Sequence, residues 1–152
     1  MKINFMKKHL LWFTVVLVAA ALAIFHTQVA AWIAPEKPVS KSISLEVYKA
    51  DDYSAAIYND ASAKLRVTVT KVSGKNRTIV WDKTFDALQL RQYPSLKNAI
   101  SQKVVIGNVF DSKEHLEVTY TLTYNSKGNV LEMQNGVLVS KGNPGGKLTI
   151  SI

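Results

Sequence analysis

The side chains best suited to chemistry in this 152-residue sequence are its aspartates. Asp51-Asp52, Asp60, Asp82, Asp86 and Asp111 all fall in or beside segments that read as loops. If those loops gather at one end of a β-sandwich, Asp51, Asp52 and Asp111 would offer oxygens to a hard cation such as calcium. That ion takes roughly six to eight oxygen ligands. None of these acids has the spacing of a single-loop calcium site, so solvated loop carboxylates are the competing reading. Two of them would also suit acid and base roles in glycoside hydrolysis, but nothing in their spacing selects a pair.

Recognition is the second chemistry on offer. Arg91-Gln92-Tyr93-Pro94 sets a guanidinium beside a phenol, and Tyr48, Tyr53 and Tyr58 lie earlier in the chain. Arg91, Tyr93 and Tyr53 are therefore the expected ligand-binding residues, since aromatic faces and a fork of N–H donors stack on sugars or hold peptides. The opposing reading has Tyr93 closing the edge of a core and Arg91 solvated. No catalytic residue emerges. His115, between Glu114 and Leu116, is the one histidine beyond the N-terminal segment, and a nucleophilic triad or zinc site needs partners that the chain does not supply. The serines are scattered, with no spacing that selects a serine–lysine pair. No nucleotide or cofactor motif is present, and no cofactor is expected. Asn76-Arg77-Thr78 is a glycosylation sequon that matters only in a eukaryotic secretory pathway.

Cysteine is absent, which removes disulfides, thiolate metal sites, cysteine nucleophiles and the lipidated cysteine of a bacterial lipoprotein. A small exported domain without disulfides points towards a bacterial origin. The net charge is +8, but Lys2, Lys7 and Lys8 precede the first acidic residue, Glu36. The remainder carries sixteen basic against eleven acidic residues, a net of +5. These bases are spread singly and form no cluster of the kind that grips nucleic acid, so a nucleic-acid partner is not expected.

The elements that position these groups begin with an address. Met1–His9 is polar and basic, Leu10–Phe25 is apolar apart from Thr14, and His26-Thr27-Gln28 leads into Val29-Ala30-Ala31. This is the order of a secretory signal, with small residues placed for cleavage between Ala31 and Trp32. The alternative is an uncleaved membrane anchor over residues 10–34, in which Trp12 and Trp32 would lie about 30 Å apart, near the two interfaces that indoles prefer. Either way the preceding lysines stay inside and the rest is sent across. The expected location is periplasmic, cell-surface or secreted, with anchoring in the inner membrane if the leader is retained.

Residues 32–41, with Pro35 and Pro38 among charges, read as a linker, and 42–152 as one domain. Ile43, Leu45 and Val47 alternate with polar residues, as do Leu65, Val67 and Val69, and then Leu116 through Tyr124. That period of two is the mark of half-buried strands. Further strands are expected at Thr78–Phe85, Lys103–Val109, Asn129–Met133, Val137–Ser140 after an Asn135-Gly136 turn, and Leu148–Ile152. Helix is limited to one short turn within Asp86–Ser101. Seven or eight short strands joined by Gly, Asn and Pro turns predict an all-β fold after an N-terminal hydrophobic helix. The expected architecture is a two-layer antiparallel β-sandwich, an immunoglobulin-like or C2-like Greek key with Trp81 free to fill its middle, and a small barrel is the second choice. The function expected is non-catalytic: binding or assembly at the bacterial cell envelope with an envelope protein or glycan. A calcium-dependent or carbohydrate-binding domain is the alternative, and an exported hydrolase the third reading.

Overall fold

A computed structural model of the chain describes residues 16–25 and 35–152. Residues 16–25 are α-helical with exposed side chains, and among the described residues no helix is long and apolar enough to cross a membrane. The expected cleavage point, Ala31 and Trp32, lies outside the described residues, as does most of the expected 10–34 anchor. Lys37–Ile152 form one compact unit.

Eight strands build this unit: β1 Val39–Tyr48, β2 Ala61–Ser73, β3 Asn76–Thr84, β4 Leu88–Gln89, β5 Ile100–Val109, β6 Glu114–Ser126, β7 Asn129–Val139 and β8 Gly145–Ser151. They form a β-sandwich. One sheet has the order β5-β1-β8; the other runs β3-β2-β6-β7, with β4 paired to β2 beyond the end of β3. No strand pair joins the two sheets among the described residues. Alternation decides which side chains meet between them. Ile43, Leu45 and Val47 of β1, Leu65, Val67 and Val69 of β2, Leu116, Val118 and Leu122 of β6, and Leu148 and Ile150 of β8 are buried, while their neighbours in sequence face out. Fully burying such a side chain contributes about 1.5–3 kcal/mol, so this shared layer is the main source of stability.

Several features depart from the sequence expectation, each for a physical reason. β1 starts at Val39, so Val39-Ser40-Lys41 are strand and not linker; Lys41, despite its charge, is completely buried against the neighbouring loops. β1 and β8 run parallel, with Ser42 opposite Gly145 and Tyr48 opposite Ser151, because the chain reaches β8 by crossing from the other sheet and not by a hairpin. Asn135-Gly136 makes no turn: β7 is continuous from Asn129 to Val139. A Cβ on Gly136 would lie 2.4 Å from Val118 O, so this glycine admits a close approach of β6 to β7. Trp81 lies on β3, an outer strand, opposite Val69, and is half-buried at the margin of the core instead of filling its middle. The connection from β4 to β5 carries two short 3-10 turns, Leu90–Gln92 and Leu96–Asn98, where one turn is expected from sequence.

Candidate functional site

The ends of β1 separate the expected metal residues. Asp111, in the β5–β6 turn, lies beside Lys41 near the start of β1, with Lys41 Nζ 2.6 Å from Asp111 Oδ1. Asp51 and Asp52 follow Ala50, whose N–H donates to Ile152 O past the far end of β1. The intervening strand, at about 3.3 Å per residue, holds the two groups about 30 Å apart. No three His, Asp or Glu side chains among the described residues come together where a cation would be held. The alternation that made β1 a strand is thus what parts the carboxylates.

Each end is occupied by its own hydrogen bonds. Asp52 Oδ1 accepts from both the N–H and the hydroxyl of Ser54 at 2.9 Å, and Asp51 Oδ1 accepts from Asp52 N–H at 2.7 Å. The Ser54 N–H, more than any other contact, holds the Asp52 carboxyl below its usual range. At the opposite end, Lys41 Nζ donates to Ser140 O at 2.8 Å, and Asp111 Oδ2 accepts from Gly142 N–H at 2.8 Å. Among the described residues Asp111 Oδ1 has no hydrogen-bond partner of good geometry, and it faces the Lys41 ammonium as an ion pair. One buried lysine therefore ties β1 to the β5–β6 turn and the β7–β8 loop. His115 stands on the outer side of β6 with Nε2 3.6 Å from Glu117 Oε1.

The expected ligand-binding residues gather at the Asp51 end of the sandwich, but not as an exposed platform. Tyr93 is 3% exposed, and its hydroxyl donates to Ala63 O at 2.9 Å. Burial raises the phenol's pKa, which keeps it protonated and donating. Tyr53, with φ of 53°, packs edge-on against Tyr58 at 5.1 Å between ring centroids. The Arg91 guanidinium is exposed and donates to Asn59 Oδ1, while its carbonyl accepts from Lys49 Nζ at 2.9 Å. Tyr93 also lines a cavity of about 200 Å³ with Val47, Leu65, Phe85, Asp86, Leu88 and Ile100. Tyr93→Phe, which removes the phenol's hydrogen bond to the Ala63 carbonyl, is expected to cost about 1 kcal/mol in urea unfolding with no change in slope.

The surface that sequence reasoning missed is β7. From Asn129 to Gly136 every residue is exposed, on both faces of the strand. Val130 and Leu131 are each 61% exposed, Leu138 55% and Met133 52%, although β7 is paired to β6 along its whole length. The β5-β1-β8 sheet covers β7 only near Val139, where Gly146 leaves room for the Val139 side chain. The other edge of β7 pairs with no strand among the described residues.

Outer strands of soluble sheets usually carry devices that prevent further pairing: charges, short length, bulges and proline. Among the described residues, three of the four outer strands longer than two residues have them. β3 is bulged between Val69 and Thr70 of its partner and bears Arg77, Asp82 and Lys83. β5 carries Lys103, and its pairing with β1 is irregular near Asn108, which has φ of 56°. β8 is seven residues long and carries Lys147, which pairs with Glu46 at 2.9 Å. β7 has eleven residues in unbroken register, no proline, no lysine and a single charge, Glu132. The signal was present in the sequence: Val130-Leu131-Glu132-Met133 does not alternate, as it would in a strand with one buried face. Compared with known proteins, the chain matches no protein-family model, no curated protein and no solved structure.

Proposed function

We propose that this chain is an exported, non-catalytic β-sandwich module that acts by binding or assembly at the bacterial cell envelope, engaging its partner along β7. The observation that carries the binding role is the unguarded edge: an eleven-residue outer strand with apolar side chains exposed on both faces, beside three edges that are bulged, charged or short. Backbone groups along such an edge supply affinity, and the alternating side chains supply selectivity. The order of basic, apolar and small residues before Trp32 supports export.

A photo-crosslinking amino acid placed in the full chain at Val130 or Leu138 is expected to give a discrete adduct in the envelope fraction. The same group at Ile79 of β3 or Val105 of β5, which are 60% and 61% exposed, is expected to give none. Equal labelling from all four positions would remove β7 as the engaged edge. Protection of residues 42–152 from protease added outside the inner membrane would remove the envelope assignment.

A further inference from the structure

We infer that β7 pairs with β7 of a second copy of this chain, antiparallel about a two-fold axis through Gln134. This rests on the reading of β7 as the engaged edge and adds the partner and the register. The register follows from the hairpin. The turn Lys127-Gly128 closes on Ser126 opposite Asn129, and in a two-residue hairpin that closing pair is hydrogen-bonded. Alternate residues therefore point their backbone groups at β6, and Val130, Glu132, Gln134, Gly136 and Leu138 point theirs away. Gly136 N–H is held by its neighbour's side chain, Asn135 Oδ1, at 2.7 Å, and not by β6.

Charge and apolar matching then choose among the two-fold registers. Centring on Glu132 sets carboxylate against carboxylate, which is unfavourable for directly opposed residues. Centring on Met133 leaves Leu131 opposite Asn135, and centring on Asn135 sets Glu132 against Leu138. With Gln134 on the axis, Val130 faces Leu138 on the outer side of the sheet and Leu131 faces Val137 on the inner side, each pair occurring twice by symmetry. Glu132, the only charge on the strand, faces Gly136, which has no side chain. Four of the five apolar residues from Val130 to Leu138 are then matched by one self-complementary contact, as a two-fold interface requires, and Met133 faces Asn135. The Met133-centred register matches Met133 with itself but leaves Val130, Leu131 and Val137 opposite Gly136, Asn135 and Asn129. The two β3-β2-β6-β7 sheets become one continuous sheet across the axis.

The absence of cysteine allows a direct test in the full chain. Single cysteines at 133, 134 and 135 are oxidised in cells and the products separated without reductant. Opposed hydrogen-bonded residues lie about 5.5 Å apart between Cα atoms, within disulfide reach, so Gln134→Cys is expected to give the dominant cross-linked dimer. Dominance of Met133→Cys or Asn135→Cys, or no dimer from any of the three, overturns the inference. In the Gln134→Cys chain, Val130→Lys with Leu138→Lys sets lysine against lysine and is expected to lower cross-linking about tenfold. Val130→Glu with Leu138→Lys sets each glutamate against a lysine of the other copy and is expected to restore it, and failure of restoration also overturns the register. Both positions are exposed, so melting temperatures of the reduced chains that match the parent's at concentrations too low for pairing will separate lost pairing from lost folding. A photo-adduct from position 130 of different mass, with no dimer from Gln134→Cys, defeats the second copy and leaves β7 as the engaged edge. Absence of both defeats both.

Discussion

In thermal unfolding at neutral pH, the Asp111→Ala chain melts on the order of 10 °C below the parent. The size of the effect comes from what remains behind. Lys41 is completely buried, and without Asp111 its ammonium keeps, among the described residues, the Ser140 carbonyl as its hydrogen-bond partner. An uncompensated buried charge is among the few causes of large losses from one substitution. Lys41→Met removes that charge and preserves most of its volume, leaving a part-exposed Asp111 that keeps the Gly142 N–H; its melting temperature is expected within a few degrees of the parent, on the order of 3 °C. The pH dependence gives the sign. Lys41 first, and the Gly142 N–H second, hold the Asp111 carboxyl below its ordinary 3.8. A depressed carboxyl stabilises the fold fully above the unfolded value and loses that contribution as pH falls through the folded one. The gap between Asp111→Ala and the parent should therefore be wide above about pH 4 and narrow progressively in stronger acid. A gap that is constant down to about pH 2 would show that the ion pair is not its source.

Gly145→Ala is expected to cost about 3 kcal/mol or more in urea unfolding. A Cβ there would lie 2.0 Å from Ser42 O and 3.0 Å from its carbonyl carbon, both backbone atoms of β1 that cannot give way. β8 must move off β1, and Leu148, Ile150 and Ile152, all buried, lose their seats with it. Gly142→Ala serves as the comparison. That glycine has φ of 77° with open space around it, so the penalty is conformational and about 1 kcal/mol. Equal costs at the two positions would mean that the close approach at Gly145 relaxes without displacing the strand.

The sandwich was legible because one-sided burial writes itself as period two, and β1, β2 and β6 each have one buried and one wetted face. Trp81 and Tyr93 were harder to place, since an aromatic residue at a strand margin and one in the core have the same local pattern. Tyr93 is fixed by a hydrogen bond to Ala63, thirty residues earlier in sequence, which no local window contains. The grouping of Asp51 and Asp52 with Asp111 failed for a related reason: loops can be recognised one by one, but the end of the sandwich at which each lies depends on strand direction across the whole sheet. Lys41 looked like part of a polar linker because its partners, Asp111 and Ser140, are remote in sequence. The β7 surface was obscured by Asn135-Gly136, a turn signal in isolation, which packing against Val118 converts to extended strand.

The parallel contact between β1 and β8 also sets the order in which the molecule becomes whole. Ser42 meets Gly145 and Val47 meets Ile150, partners separated by about a hundred residues of chain, and β1 gains its other neighbour only when β5 has been made. The strand at the centre of its sheet thus precedes both its partners in sequence and is enclosed only when the later of them arrives. Hairpins β2–β3 and β6–β7 can close early on their own short turns, whereas β1 must wait with two bare sides. A chain lacking β8 leaves one side of β1 bare, so closure of this sheet waits on a long-range encounter of the kind that slows folding.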